Sequence, residues 1–279
     1  MIPKGKLLII GGHEDKGENP GENLVIHKKK ETQSHFKILG TLISKIPRAH
    51  HTIEIIASAS SVSKETEQLY IDSYKQEGFT HVGIIKVETK EDARSPAAIN
   101  QIKSAHAVLF TGGDQAKLVS LMRGSKLLEA IRTKYHSDEH FIVGGTSAGA
   151  MAMPETIITG GRIQEALYKG DIRMSRGFDL IQGIIVDTHF IKRGRFARLA
   201  HAVALNPSCL GIGLGENTAL IISKGNQAEC IGSGMVILID GSKISASNIN
   251  AVDDTTAIVV ENLTVSILAE GSCYLLKGK

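Results

Sequence analysis

Short runs of β-branched and other apolar residues alternate with longer, more polar segments through the first two-thirds of this 279-residue chain. Six such runs are predicted strands, at residues 6–12, 52–58, 81–87, 105–113, 140–149 and 183–190. In the intervening segments 64–79 and 113–135, apolar residues recur every three or four positions, which is typical of amphipathic helices. Because strand–helix–strand repetition builds a sheet covered on both faces, we expect an α/β fold with a mostly parallel sheet flanked by helices.

Glycine pairs follow several of the predicted strands, at residues 11–12, 112–113 and 144–145. In open parallel sheets, ligands bind beyond the carboxyl ends of the strands, which is where these pairs fall. The first pair leads into a polar loop, GHEDKGENPGEN at 12–23, which we expect near a site.

The pattern changes after about Glu216. Apolar runs now alternate with Lys-Gly-Asn, Asp-Gly-Ser and Glu-Gly-Ser turns, which are typical of β-hairpins. No Pro- or Ser-rich linker separates this part from the rest. We therefore predict a single domain over residues 1–279, in which about 217–279 form a C-terminal antiparallel β extension.

Composition narrows the classes of partner. A formal net charge of +3 favours neither nucleic acid nor another polyanion, and no apolar run is long enough to span a membrane. The first apolar stretch is too short for the core of a signal peptide. Three cysteines without metal-type spacing suit a reducing compartment, so we expect a cytoplasmic protein without a cofactor.

Ser147 stands within Gly145-Thr146-Ser147-Ala148-Gly149, after one apolar run and before a small, helix-prone one. A serine hydroxyl attacks a carbonyl only when a base removes its proton and the oxyanion is stabilised. A tight strand-to-helix turn presents the side chain and directs amides toward an oxyanion. The strand–turn–helix context makes Ser147 the predicted nucleophile, although the pentapeptide alone is also compatible with a close-packed turn.

His189 ends the predicted strand at 183–190, so we expect it at the same sheet edge and assign it as the general base. His201 lies in a predicted helix and is interpreted as structural. The residues leave three acids open as the group that orients the base: Glu165, Asp187 and Glu216.

Three arginines follow the predicted base closely, at positions 193, 195 and 198. Guanidinium groups bind carboxylates in a bidentate manner, and beside a catalytic base this favours recognition of an acidic substrate over a merely solvated helix face.

Two other classes of function fit the sequence less well. The segment His136-Ser137-Asp138-Glu139-His140 matches a zinc-hydrolase pattern that requires a helix, but it leads directly into a strand at the opposite sheet edge, so we expect no metal there. A non-catalytic ligand-binding or nucleotide-binding α/β protein is disfavoured because no phosphate-binding loop or Gly-x-Gly-x-x-Gly pattern is present.

Five stretches together resemble the cyanophycinases, a group of peptidase E-like serine peptidases. They are GGHEDK (11–16), FTGGDQ (110–115), GGTSAGAMAM (144–153), DTHFIKRGRFARL (187–199) and GLGENTAL (213–220). The resemblance implies a fold related to class I glutamine amidotransferases, a cytoplasmic homodimer, and exopeptidase cleavage of cyanophycin into β-aspartyl-arginine dipeptides. An aspartyl or isoaspartyl dipeptidase of the peptidase E type is the alternative.

The resemblance also implies roles for individual residues. Ser147 is the nucleophile, His189 the base and Glu216 the favoured third member, with Glu165 in reserve. The resemblance makes the amides of Gly113 and Ala148 the oxyanion-hole candidates. The implied substrate-binding residues are Gln115, Asp187, Thr188, Arg193, Arg195 and Arg198. Cyanophycinases commonly have Gln where this chain has Thr188, a difference that bears on the substrate more than on the chemistry.

Overall fold

A computed structural model describes residues 2–12, 38, 40, 44, 51–57, 64–161 and 168–276. The polar loop predicted after Gly12 and the reserve acid Glu165 lie outside the described residues. The strands, in chain order, are β1 Lys6–Ile10, β2 Thr52–Ile56, β3 His81–Ile85, β4 Ala107–Phe110, β5 Ile142–Thr146, β6 Thr156–Gly161, β7 Ile172–Arg176, β8 Ile184–Asp187, β9 Leu210–Leu214, β10 Thr218–Ser223, β11 Gln227–Gly232, β12 Val236–Asp240, β13 Ala246–Ser247, β14 Val260–Glu261, β15 Thr264–Leu268 and β16 Cys273–Leu275.

The described helices include those that the polar segments predicted. They are α1 Lys64–Gln76, α2 Pro96–Ser104, α3 Gln115–Met122, α4 Lys126–Ser137, α5 Ala148–Ala152 and α6 Phe196–Leu205. The single helix predicted over 113–135 is two helices. Gly124 takes a positive φ of 74° between them, and the hydroxyl of Ser125 accepts from the amide of Leu128 to start the second.

The main sheet has eight strands in the order β16-β11-β10-β1-β5-β4-β2-β3. The five strands from β1 to β3 in this order are parallel, and β10, β11 and β16 continue the sheet in antiparallel fashion. The predicted α/β class, with its mostly parallel sheet and antiparallel C-terminal extension, is confirmed.

Apolar side chains cover both faces of the main sheet. On β1, Leu7 and Ile9 pack into one hydrophobic cluster, whereas Leu8 and Ile10 pack into the other. Side chains alternate across a strand, so an uninterrupted apolar run such as Leu7–Ile10 suits a strand buried on both faces. Because the five central strands are parallel, their carboxyl ends lie at one edge of this buried sheet.

β8, predicted with the other strands, lies in a second sheet of order β15-β12-β9-β8. The composition of the turns also indicated where the chain reverses direction, but not which strands pair with each other. The Lys-Gly-Asn turn joins β10 and β11, which do pair, whereas the Glu-Gly-Ser turn joins β15 and β16, which belong to different sheets. A turn signal is local, while strand pairing depends on distant residues.

Candidate active site

Ser147 lies directly after β5, the strand between β1 and β4 in the main sheet. Its backbone has φ 52° and ψ −115°, a conformation that residues with a side chain rarely adopt. The turn is tight because α5 begins at once against the end of β4. A Cβ on Gly149 would lie 2.6 Å from the carbonyl carbon of Phe110, so only glycine fits there. The half-buried Ser147 side chain is thus held at the sheet edge.

His189 and Glu216 follow the carboxyl ends of two neighbouring parallel strands. β8 pairs with β9, and Asp187 lies opposite Gly213 in their register. From this pair of residues the chain runs two residues further to His189 and three residues further to Glu216. The amide of His189 donates to the carbonyl of Gly11 at 2.9 Å, which joins the end of β8 to the end of β1. The two sheets therefore meet at this point.

Ser147, His189 and Glu216 form a hydrogen-bonded chain. Ser147 Oγ lies 2.9 Å from His189 Nε2, and His189 Nδ1 lies 2.8 Å from Glu216 Oε1. Because an ionised carboxylate only accepts hydrogen bonds, Nδ1 carries the proton of a neutral imidazole and Nε2 is left to accept from the serine hydroxyl. The imidazole is buried, while the Glu216 side chain is 23% exposed. Of the two candidate acids that the structure describes, Asp187 and Glu216, it is Glu216 that contacts the imidazole.

Two residues at this site had no individual role assigned from the sequence. Lys192 Nζ lies 3.2 Å from Glu216 Oε2, so the outer oxygen of that carboxylate also has a partner. Gly12 lies against the imidazole, because a Cβ there would be 2.5 Å from His189 Nε2. The glycine pair at the end of the first strand was the available signal for Gly12, whereas nothing distinguished Lys192 from other exposed lysines.

Of the predicted oxyanion donors, Ala148 directly follows Ser147, and Gly113 follows Gly112, which lies close to Ser147. A Cβ on Gly112 would be 3.4 Å from the Cβ of Ser147, so the loop that contains Gly113 runs beside the nucleophile. Gly113 takes a φ of 130°. Ala148 is the first residue of α5, where backbone amides lack an intrahelical acceptor.

Gln115 and Arg193 are accessible at this edge. Gln115 begins α3, is partly exposed, and donates from Nε2 to the carbonyl of Ile158 at 2.9 Å. Arg193 is exposed in the turn after β8, and its amide donates to the carbonyl of His189 at 3.0 Å.

The other four residues implied to bind substrate are buried. Asp187 and Thr188 are 0% exposed, and Arg195 and Arg198 are 6% and 4% exposed. Both guanidinium groups contact the Asp187 carboxylate, at 2.8 Å from Arg195 Nη1 and 2.8 Å from Arg198 Nε. Burial lowers the pKa of the Arg195 guanidinium, and Asp187 opposes that effect. The arrangement differs from the expected arginine-lined pocket because the arginines compensate an internal carboxylate.

The remaining expectations concern metal, membrane and His201. Within the described part of the chain, no group of three or more His, Cys, Asp and Glu side chains could hold a metal ion. His136 lies in the last turn of α4 and His140 beyond the end of that helix. No described helix has the length and apolar character of a membrane span. His201 is fully buried in α6.

Comparison with known proteins assigns the chain to a family. The profile of peptidase family S51 matches residues 25–230. Cyanophycinase from Synechococcus elongatus is 29% identical over 98% of this chain and 80% of its own length. Cyanophycinase from Geminocystis herdmanii is 31% identical over 97% of this chain and 93% of its own length.

Solved structures agree on the fold. A peptidase from an acI-B1 actinobacterium superposes with a TM-score of 0.68 and 21% identity, covering 99% of this chain and 98% of its own. A putative peptidase E protein from Listeria monocytogenes gives a TM-score of 0.51 and 11% identity, covering 82% and 99%. The fold is therefore that of peptidases of the peptidase E type. The chain belongs to peptidase family S51, and the predicted resemblance to cyanophycinases is confirmed.

Proposed function

We propose that this peptidase is a serine exopeptidase that hydrolyses cyanophycin, a polyaspartate with arginine on each side chain, to β-aspartyl-arginine dipeptides. The observation that carries the chemistry is the hydrogen-bonded chain from Ser147 Oγ through the His189 imidazole to Glu216. A nucleophile, a base and an orienting acid in contact are what acyl transfer by serine requires.

In the proposed mechanism, His189 Nε2 takes the proton of Ser147 as Oγ attacks the scissile carbonyl. Glu216 accepts from Nδ1 throughout, so it holds the imidazole in the productive tautomer and stabilises the imidazolium that forms. His189 then protonates the leaving amine. The same imidazole then deprotonates a water molecule that attacks the acyl-enzyme carbonyl, and the imidazolium returns that proton to Ser147 Oγ as the ester bond breaks.

The amides of Gly113 and Ala148 are the proposed oxyanion donors. The tight turn at Ser147 supports this role, because it brings the start of α5 and the end of β4 close to the hydroxyl. Backbone amides held in place before the reaction stabilise the developing charge without reorganisation.

The substrate assignment rests on the relatives. Proteins named cyanophycinase align with nearly the whole chain at about 30% identity. Gln115 and Arg193, accessible at the same edge, are the proposed substrate contacts. A guanidinium at position 193 suits a free carboxylate of the polymer end.

Turnover of purified cyanophycin, with products identified by mass spectrometry, tests this function. We expect the native enzyme to release β-Asp-Arg and Ser147→Ala to release none. Ser120→Ala, which removes an exposed hydroxyl on α3, is the matched control. Undiminished release by Ser147→Ala would overturn the nucleophile assignment.

Thr188 is the observation that supports a second candidate function. It stands where cyanophycinases commonly have Gln, and it is shorter and fully buried. A peptidase E-like aspartyl or isoaspartyl dipeptidase is the alternative function. Hydrolysis of α-Asp or β-Asp dipeptides without any release from cyanophycin would favour it.

A further inference from the structure

The strand end that carries His189 is held by a buried ion cluster, here called the Asp187 cluster and consisting of Asp187, Arg195 and Arg198. Arg198 contacts both carboxylate oxygens, through Nε at 2.8 Å and Nη2 at 2.5 Å. Arg195 Nη1 contacts Oδ1 at 2.8 Å, and the amide of Thr188 donates to the same oxygen at 2.9 Å. One carboxylate therefore accepts four hydrogen bonds in a site closed to solvent.

The cluster spans the segment that contains the base. Arg195 Nη1 also donates to the carbonyl of Thr188 at 2.7 Å, immediately before His189. The amide of Arg195 donates to the carbonyl of Phe190 at 3.0 Å, immediately after His189. A single residue thus contacts the backbone on both sides of the imidazole.

His189 needs such support because its backbone is strained. It has a φ of 50°, in the left-handed region that non-glycine residues avoid. Strained backbone persists at functional sites only where the surrounding structure over-determines it. The contacts of Arg195 on either side of His189 provide that constraint.

The same contacts leave the cluster poorly suited to binding substrate. The side chains of Asp187, Arg195 and Arg198 are 0%, 7% and 5% exposed. A substrate carboxylate would have to displace Asp187 from two guanidinium groups and leave that charge buried without a partner, which is unfavourable.

We infer that Asp187, Arg195 and Arg198 are positioning residues, which act through the backbone of residues 188–190 to place the His189 imidazole against Ser147, and that they are not ligands of the substrate. The inference rests on the proposed function only in taking His189 as the base.

The rate at which a small fluorophosphonate modifies Ser147 tests this inference, because the reagent needs the activated serine but none of the substrate contacts. Asp187→Asn and Arg198→Lys are compared with native enzyme for this rate and for kcat and KM on cyanophycin. We expect kcat and the modification rate to fall together by at least about tenfold, with KM within about twofold. Arg198→Lys retains the charge but not the bidentate geometry, so its loss is expected to be the smaller of the two.

Arg176→Lys is the matched control, because Arg176 forms an exposed ion pair with Glu155 near β6 and β7, outside the cluster. A roughly tenfold rise in KM with unchanged kcat and modification rate would overturn the inference and restore the substrate role. If native enzyme is not modified at all, the proposed function fails instead.

Both variants must retain the native circular-dichroism spectrum for these rates to count. If neither does, modification of native arginines by phenylglyoxal decides. The inference is supported if phenylglyoxal fails to modify Arg195 and Arg198 both with and without cyanophycin. The inference is contradicted if phenylglyoxal modifies these two arginines and cyanophycin protects them from it.

Discussion

The imidazole of His189 lies against the α-carbon of Gly12, with no room for a side chain between them: a Cβ on Gly12 would be 2.5 Å from Nε2 and 3.2 Å from Nδ1. Gly12 also takes a φ of 97°. The end of the first strand therefore forms one wall of the space in which the base sits.

Gly12→Ala is expected to displace the imidazole from Ser147 and to lower kcat on cyanophycin by about 100-fold or more, because small misplacements of a reacting group are costly. Gly124→Ala is the matched control. Gly124 also has a positive φ, of 74°, but its Cβ would meet nothing within 4 Å. We expect it to cost about 1 kcal/mol of unfolding free energy and to leave kcat unchanged. If kcat falls equally in the two variants, close packing of Gly12 against the imidazole is not what positions His189.

Glu216→Gln is expected to lower kcat by roughly 1,000-fold, with little change in KM, because a neutral amide cannot stabilise the imidazolium and permits the wrong tautomer. Steady-state kinetics on cyanophycin measures both constants. Glu155→Gln, which changes a carboxylate paired with Arg176 outside the site, serves as the control. A kcat within a few-fold of native would mean that another acid orients His189.

Much of this site could be predicted from local pattern. Ser147 lies in a strand–turn–helix context that the glycines at 145 and 149 mark, and His189 ends an apolar run, so the sequence alone assigns both to strand ends. The acid could not be chosen from the residues alone, because Glu216 meets His189 only through the pairing of β8 with β9, which is non-local.

The arginines show what sequence reasoning leaves open. A guanidinium beside a catalytic base suits an open substrate pocket and a buried ion pair equally well. Only the fold places Asp187 inside, where its charge requires Arg195 and Arg198 as partners. The membership of β8 in a second sheet was hidden for the same reason, because strand order is set by distant residues.

Arg193→Gln is expected to raise KM for cyanophycin roughly tenfold or more, because a hydrogen-bonded charge pair with a substrate carboxylate is lost. Since Arg193 is exposed and outside the Asp187 cluster, we expect the fluorophosphonate modification rate of Ser147 to stay near that of native enzyme. Lys243→Gln, at an exposed turn, controls for loss of surface charge. An unchanged KM would exclude Arg193 from substrate binding.

Glu54 provides a pH-dependent prediction about stability. It is 1% exposed on β2 of the main sheet, where burial raises its pKa above the ordinary 4.5 and His81 opposes the shift. The folded state thus holds this proton more tightly than the unfolded chain. Its contribution to stability is present below the unfolded-state pKa and is lost as pH rises through the raised folded-state value.

We therefore expect Glu54→Gln to be more stable than native protein at about pH 7, with the difference vanishing toward about pH 4. Gln101 Nε2, 3.3 Å from the carboxylate, still finds an amide oxygen to donate to in this variant. Chemical denaturation at several pH values measures the difference, and Glu88→Gln, at an exposed position, is the control. Greater stability of the native protein near neutral pH would show that the contact with His81 outweighs the cost of burying the Glu54 carboxylate.

Activation of Ser147 by His189 underlies the whole proposed mechanism. It is tested by treating the enzyme with a fluorophosphonate and locating the adduct by mass-spectrometric peptide mapping. We expect one adduct, on Ser147, at a rate that falls by at least about 100-fold in His189→Ala. An adduct elsewhere, or modification of Ser147 at the native rate in His189→Ala, would contradict the account.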